Sequence, residues 1–168
     1  QGIMNLLELL LYGQACASAL MLFGWLVAIK INNTSYVDVL WAYGVGALGF
    51  SYLRLEGQEI DPTRLVFLQV LIVAWSLRLG TYLLARCRGK PEDARYAYLR
   101  EWMGKKANLG FLLFFQVQAF WVVLFASPFL VLAGNPASDA AMRPVQIMAR
   151  YRCRPEQLLD GAFLVAHP

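Results

Sequence analysis

Histidine is almost missing from this chain. Among its 168 residues the single histidine is His167, one position from the end. That scarcity excludes Ser-His-Asp and Cys-His nucleophilic chemistry and the usual imidazole metal sites, all of which need a histidine placed inside the fold. Cysteine is little better represented. Cys16, Cys87 and Cys153 are far apart, odd in number and without a CxxC spacing, so neither a disulfide framework nor a zinc site is expected. Charge is also scarce: 15% of residues are Asp, Glu, Lys or Arg, against about 25% in soluble domains. No internal repeat and no low-complexity tract is visible. The net charge of +4 sits mainly in one loop, which points away from a nucleic-acid surface and toward membrane topology and anionic ligands.

Apolar residues make up 59% of the chain, and they fall into runs long enough to cross a bilayer, about 20 residues each. The reading is a single all-α, polytopic membrane helix bundle of about four transmembrane helices, at 3–29, 37–53, 63–85 and 109–133. The first run contains Glu8 and lacks a basic leader, so it reads as a membrane helix rather than a cleaved signal. Gly13, Ala15, Ala17 and Ala19 are expected to give it a small-residue stripe, and Gly44, Gly46 and Gly49 to let a neighbour approach the second helix. Ser127-Pro128 predicts a kink or early end in the fourth. Residues 134–168 differ in character. They are basic, interrupted by proline and hold no spanning run.

Between the third and fourth runs lies the densest charge. Residues 86–108 hold Arg86, Arg88, Lys90, Arg95, Arg100, Lys105 and Lys106 against Glu92, Asp93 and Glu101. By the positive-inside rule this loop is cytoplasmic and the N-terminus outside. Tyr96, Tyr98 and Trp102 are interleaved with the cations, and residues 91–102 are expected to form a short cytoplasmic interfacial helix. The same topology places the sequons at Asn32 and Asn33 in the cytoplasm, where no glycan is expected.

The chemistry-bearing residues cluster where the second run begins and the third ends. Trp75, Arg78 and Tyr82 stand at i, i+3 and i+7 and share one helix face, as do Asp38 and Trp41. A cavity between these two helices would present Asp38, Trp41, Trp75, Arg78 and Tyr82, with Arg86, Arg88 and Lys90 at its mouth. Guanidinium groups suit phosphates. An aromatic wall with a phenol suits a flat apolar substrate bearing a carbonyl, where a phenol donor stabilises a developing enolate. Plainer roles stand beside these. Ser35 and Asp38 have the spacing of a capping box, Arg78 is able to snorkel to the interface, and Gln116 suits an interhelical hydrogen bond.

The strings Val37-Asp38-Val39-Leu40-Trp41, Trp75-Ser76-Leu77-Arg78-Leu79, Arg88-Gly89-Lys90-Pro91 and Glu92-Asp93-Ala94-Arg95-Tyr96 occur in this order between these runs. Over residues 36–133 the chain resembles the membrane family that includes steroid 5-alpha-reductases, in particular its uncharacterised bacterial branch. The resemblance implies a cytoplasm-facing cavity for NADPH and hydride transfer to a double bond conjugated with a carbonyl. It implies that Arg78, Arg88 and Lys90 touch the cofactor, with Arg86 and Arg95 assisting, and that Trp41 and Trp75 lie around the nicotinamide and substrate. Asp38 or Tyr82 would polarise the substrate. The family's C-terminal cofactor motif, Ser-Arg-His-Pro-Asn-Tyr-like, has no match here, and the chain ends at Ala166-His167-Pro168.

The expected function is therefore the N-terminal part of a membrane-embedded, NADPH-dependent reductase of an apolar, lipid- or steroid-like substrate, in a bacterial inner membrane. Its partners are membrane lipid and the apolar substrate, with neither metal nor nucleic acid. Two other readings stay open: a non-catalytic truncated module that binds lipid or partner helices, and a lipid or isoprenylcysteine-type methyltransferase.

Overall fold

The computed structural model describes residues 6–55 and 62–133. Among them there are only helices: α1 (Leu6–Ile31), α2 (Tyr36–Leu55), α3 (Pro62–Cys87), α4 (Ala94–Met103) and α5 (Ala107–Ala133), with a 3-10 turn at Gly104–Lys106 joining α4 to α5. The expected tail at 134–168 lies outside the described residues. At about 1.5 Å per residue, α1, α3 and α5 each reach close to 40 Å, more than a hydrocarbon core of about 30 Å. α1, α3 and the α4–α5 segment, broken at Gly104 (φ +52°), are long and apolar enough to cross a membrane. The chain is an all-α integral membrane bundle.

α2 sits at its centre and packs against α1, α3 and α5, while α1 also packs along α5 and α3 rests mainly on α2. α2 is not among the helices that are apolar enough to cross a membrane by composition alone, and its central place leaves less of it facing lipid. Two of its polar groups bond to neighbouring helices: the Tyr52 hydroxyl donates to the Leu9 carbonyl of α1 at 3.3 Å, and the Ala42 carbonyl accepts from Ser76 of α3 at 3.0 Å. Tyr52, Phe115, Met21, Leu53, Val37 and Val122 are fully buried. Large apolar side chains such as Leu11, Phe23, Phe67, Val70, Leu113 and Phe120 point outward. In water such a surface would aggregate; around a bundle it is the lipid-facing belt.

Small residues set the helix contacts, because lipid removes the hydrophobic drive between helices and leaves close packing to do the work. Gly46 faces Ser76, Gly80 lies under the Tyr43 ring, and Gly49 lies between Ile72 and Phe129. On α1 the buried stripe is Leu9, Gly13, Ala17, Met21, Gly24 and Ala28. The expected stripe through Ala15 and Ala19 is therefore corrected, since both are exposed. A two-residue spacing cannot stay on one face of a helix of period 3.6.

Three local devices shape the ends. Asn32, with φ +51°, stops α1 in a Schellman arrangement: its N–H reaches the Ile29 carbonyl at 3.2 Å and the Asn33 N–H reaches Ala28 at 3.0 Å. Asp93 caps α4 by accepting the Arg95 N–H, so α4 begins at Ala94 rather than at the expected Pro91. α5 runs through Pro128 to Ala133 without an early end. Proline leaves the carbonyl four residues earlier, that of Leu124, without its N–H. The Ser127 hydroxyl supplies the missing donor at 2.8 Å.

Candidate functional site

The turn between α1 and α2 and the loop between α3 and α4 meet at one end of the bundle, and almost every polar side chain there has a partner. Thr34 and Glu92 form the inner contact. The Thr34 N–H donates to Glu92 Oε1 at 2.7 Å. The Arg100 guanidinium grips both Glu92 oxygens, at 2.9 and 2.8 Å, and also reaches Thr34 Oγ1 at 2.9 Å. Its planar head lies over the Phe111 ring, 4.9 Å from the centroid. Burial pushes the Glu92 carboxyl up, but the hydrogen bonds from Arg100 and Thr34 together outweigh it and leave the acid below its ordinary value.

Beside this clamp lies a second one. The Asp93 N–H donates to Ser35 Oγ at 2.8 Å, and the Asn33 amide donates to the Lys90 carbonyl at 3.3 Å. The buried Tyr96 hydroxyl donates to Asp38 Oδ1 at 2.8 Å, and Arg95 reaches Asp38 Oδ2 at 3.3 Å. Arg95 also holds Asp93 at 3.1 Å, as does Arg86. Hydrogen bonds from the Arg95 side chain and N–H keep the Asp93 carboxyl below its usual range. The expected capping box at Ser35 and Asp38 is not formed. The Ser35 N–H is taken by Asn33 Oδ1 at 3.0 Å, which frees the Asp38 carboxylate to reach across to α4. Asn33 is buried with its amide engaged, so that sequon offers no room for a glycan.

An open cleft of about 300 Å³ lies against this loop, lined by Ser35, Arg86, Cys87, Lys90, Pro91, Asp93 and Ala94. Arg86 and Arg95 are shared with acids. Arg88 and Lys90 are exposed and make no ion pair with the described residues. Of the cations beside this cleft, these two are the ones left over for an anionic ligand.

A family model described as a protein of unknown function, DUF1295, matches residues 24–152. The chain belongs to this family. No curated protein and no solved structure matches it. The DUF1295 match begins within α1 and runs past α5, so residues 134–152, expected to be an atypical tail, fall inside the family's span.

Within the DUF1295 bundle the expected residues separate into two groups. Trp41 and Trp75 meet, with ring centroids 6.1 Å apart and planes at 74°, and Trp41 also meets Phe125 at 5.3 Å. Trp41 Nε1 is buried and has no hydrogen-bond acceptor among the described residues. Arg78 and Tyr82 do share a face with Trp75, but that face turns outward and both side chains are exposed. The expected cavity between α2 and α3 is therefore corrected: Ser76 against Gly46 and Tyr43 against Gly80 close that seam. What exists is an open ladder on the outer face of α3. Trp75, Arg78, Tyr82 and Arg86 follow one another at three- and four-residue steps over about 16 Å and end at the cleft.

The sequence does not reveal the Glu92–Arg100–Thr34 clamp as a unit. Its only signal in the sequence is an acid eight residues before an arginine, which matters only once the α1–α2 turn supplies Thr34 between them. Gln116 donates to the Ser18 carbonyl of α1 at 3.5 Å, the interhelical role expected for it.

Proposed function

We propose that this DUF1295 chain carries one wall of a membrane-embedded, NADPH-dependent reductase site of the steroid 5-alpha-reductase-like kind. The carrying observation is the cleft at the end of α3, where Lys90 and Arg86 face the opening and Arg88 stands in the same turn. Cations with hydrogen-bonding capacity beside an open cleft fit the phosphate-bearing part of a dinucleotide. At about 300 Å³ the cleft is at the small end of ligand sites. The ladder along α3 extends it toward Trp75. The unpaired indole N–H of Trp41, behind Trp75, fits an acceptor on a bound ligand.

When bound, the nicotinamide would supply a hydride to a carbon–carbon double bond conjugated with a carbonyl. The chain's own residues would do the rest. Arg88 and Lys90 bind phosphate. Arg78 extends the same cationic track. Trp75 and Trp41 form the apolar wall that orients a flat substrate. Tyr82 places a phenol O–H where a substrate carbonyl gains negative charge. Asp38 accepts from both Tyr96 and Arg95, so its part in this reading is to position α4 rather than to donate a proton. The apolar belt around α3 suits a substrate that arrives from the lipid.

Titration of the purified chain with NADPH in detergent, followed by tryptophan fluorescence, tests this reading. Saturable quenching is expected, and Arg88→Ala with Lys90→Ala should weaken it by roughly tenfold or more, as expected for lost charge-assisted contacts. No saturable signal, or an affinity indifferent to both substitutions and to Arg78→Ala, overturns it. Binding of S-adenosylmethionine instead would favour the methyltransferase reading.

A further inference from the structure

The short helix α4 has two faces with different tasks. Tyr96, Leu99, Arg100 and Met103 point inward, where Tyr96 is bonded to Asp38 and Arg100 to Glu92 and Thr34. Those bonds fix the rotation of α4 about its axis. The opposite side presents Tyr98, 71% exposed, and Trp102, 75% exposed, four residues apart and therefore one above the other. Lys105 and Lys106 follow in the 3-10 turn, exposed and without an ion pair among the described residues. Directly after them α5 starts its apolar run.

The geometry points to α4 and the 3-10 turn as a seat for anionic phospholipid headgroups. Tyr98 and Trp102 lie at headgroup level, and Lys105 and Lys106 engage the lipid phosphates. Three observations carry this. The aromatic pair has an apolar body and a polar tip, the side-chain type that concentrates at membrane interfaces. The two lysines form no ion pair among the described residues, and beside the single acid Glu101 one turn away they leave a net positive charge, complementary to an anionic leaflet. The spanning helix begins at the next residue, so the pair is held at the depth where headgroups lie. The clamp on the inner face means that the seat is fixed in orientation before lipid arrives. The inference does not depend on the reductase reading, and it uses none of the cations assigned to a dinucleotide.

Lipid retention by the full chain, measured by native mass spectrometry, tests it. The detergent-purified protein is exchanged against equimolar phosphatidylglycerol and phosphatidylcholine. Preferential retention of phosphatidylglycerol is expected. Lys105→Gln with Lys106→Gln should lower that preference on the order of tenfold, from the usual contribution of a lysine near an anionic surface. Lys105→Arg with Lys106→Arg should keep it, which separates loss of charge from loss of fold. Arg88→Gln with Lys90→Gln should also keep it, which separates this seat from the cleft. Equal retention of the two lipids by the unaltered chain overturns the inference, as does a preference that survives removal of both lysines or disappears with Arg88 and Lys90.

Discussion

The phenol of Tyr96 and the carboxylate of Asp38 join α4 to the first turn of α2, at 2.8 Å and across 58 positions of sequence. The tyrosine is buried and the acid is partly so. A hydrogen bond to a charged acceptor is worth about 1.5–3 kcal/mol. Tyr96→Phe removes the donor and keeps the ring against Phe114, 5.8 Å away. The expected loss is therefore close to that range, read as a lower unfolding midpoint in detergent. Arg95→Ala removes the other partner of Asp38, but that side chain is 66% exposed. Solvent screens such a pair, so a loss of about 1 kcal/mol or less is expected. Equal effects of the two substitutions would contradict the ranking.

The acids of the α3–α4 loop set a pH dependence with a definite sign. Glu92 and Asp93 both have folded-state pKa values below their ordinary ones. A carboxylate lowered on folding binds fewer protons in the folded state than in the unfolded one. Its stabilisation is thus complete above the unfolded value, about 4, and is lost as pH falls through the lowered folded value. Thermal midpoints should be level from neutral pH to about 5 and fall below about 4. Glu92→Gln should flatten the acid limb and lower the neutral plateau, since it leaves the Arg100 guanidinium, only 25% exposed, without its charge partner.

How far the sequence could be read depended on which force wrote the signal. The long apolar runs predict where α1, α3 and α5 lie, because the length needed to cross lipid is a strong constraint. The i, i+3, i+7 spacing correctly puts Trp75, Arg78 and Tyr82 on one face. It says nothing about which way that face turns. In water, apolar residues mark the inside; in lipid, they are equally at home outside, so hydropathy loses its directional meaning. The inside of α3 is marked instead by its small residues, Ser76 and Gly80, which let Gly46 and the Tyr43 ring approach. Had those been weighted above the charged and aromatic residues, the closed α2–α3 seam would have been legible. The loop cluster is legible only in part. The cations Arg86, Arg88 and Lys90 stand out, but the Thr34–Glu92–Arg100 clamp joins residues separated by 58 and 66 positions, and nothing local links them.

That seam can be tested directly. Gly46→Ala places a methyl group against the Ser76 side chain, whose hydroxyl is bonded to the Ala42 carbonyl. Either the helices separate or Ser76 gives up its bond. Overpacking of this kind costs about 1–3 kcal/mol. Ser76→Gly should tolerate the added methyl, so the double variant is expected to recover a large part of the loss. Without recovery, the strain lies elsewhere than at this contact. A double-mutant cycle in detergent or nanodiscs measures the coupling.

Ser127 and Pro128 offer the sharpest test of a local compensation. In a spanning helix a carbonyl without a donor has no water to turn to. Proline at 128 withdraws the N–H that would serve Leu124, and the Ser127 hydroxyl takes its place at 2.8 Å. Ser127→Ala should therefore destabilise by about 1–3 kcal/mol, the cost of a carbonyl left unpaired against lipid. Restoring the backbone donor should make the hydroxyl redundant. In a Pro128→Ala background, Ser127→Ala is expected to cost only a few tenths of a kcal/mol, because alanine is a good helix former. The two substitutions are thus strongly non-additive, and amide hydrogen exchange along 124–130 would report the restored N–H at position 128. Additive effects would mean that the serine acts on something other than the gap left by its neighbour.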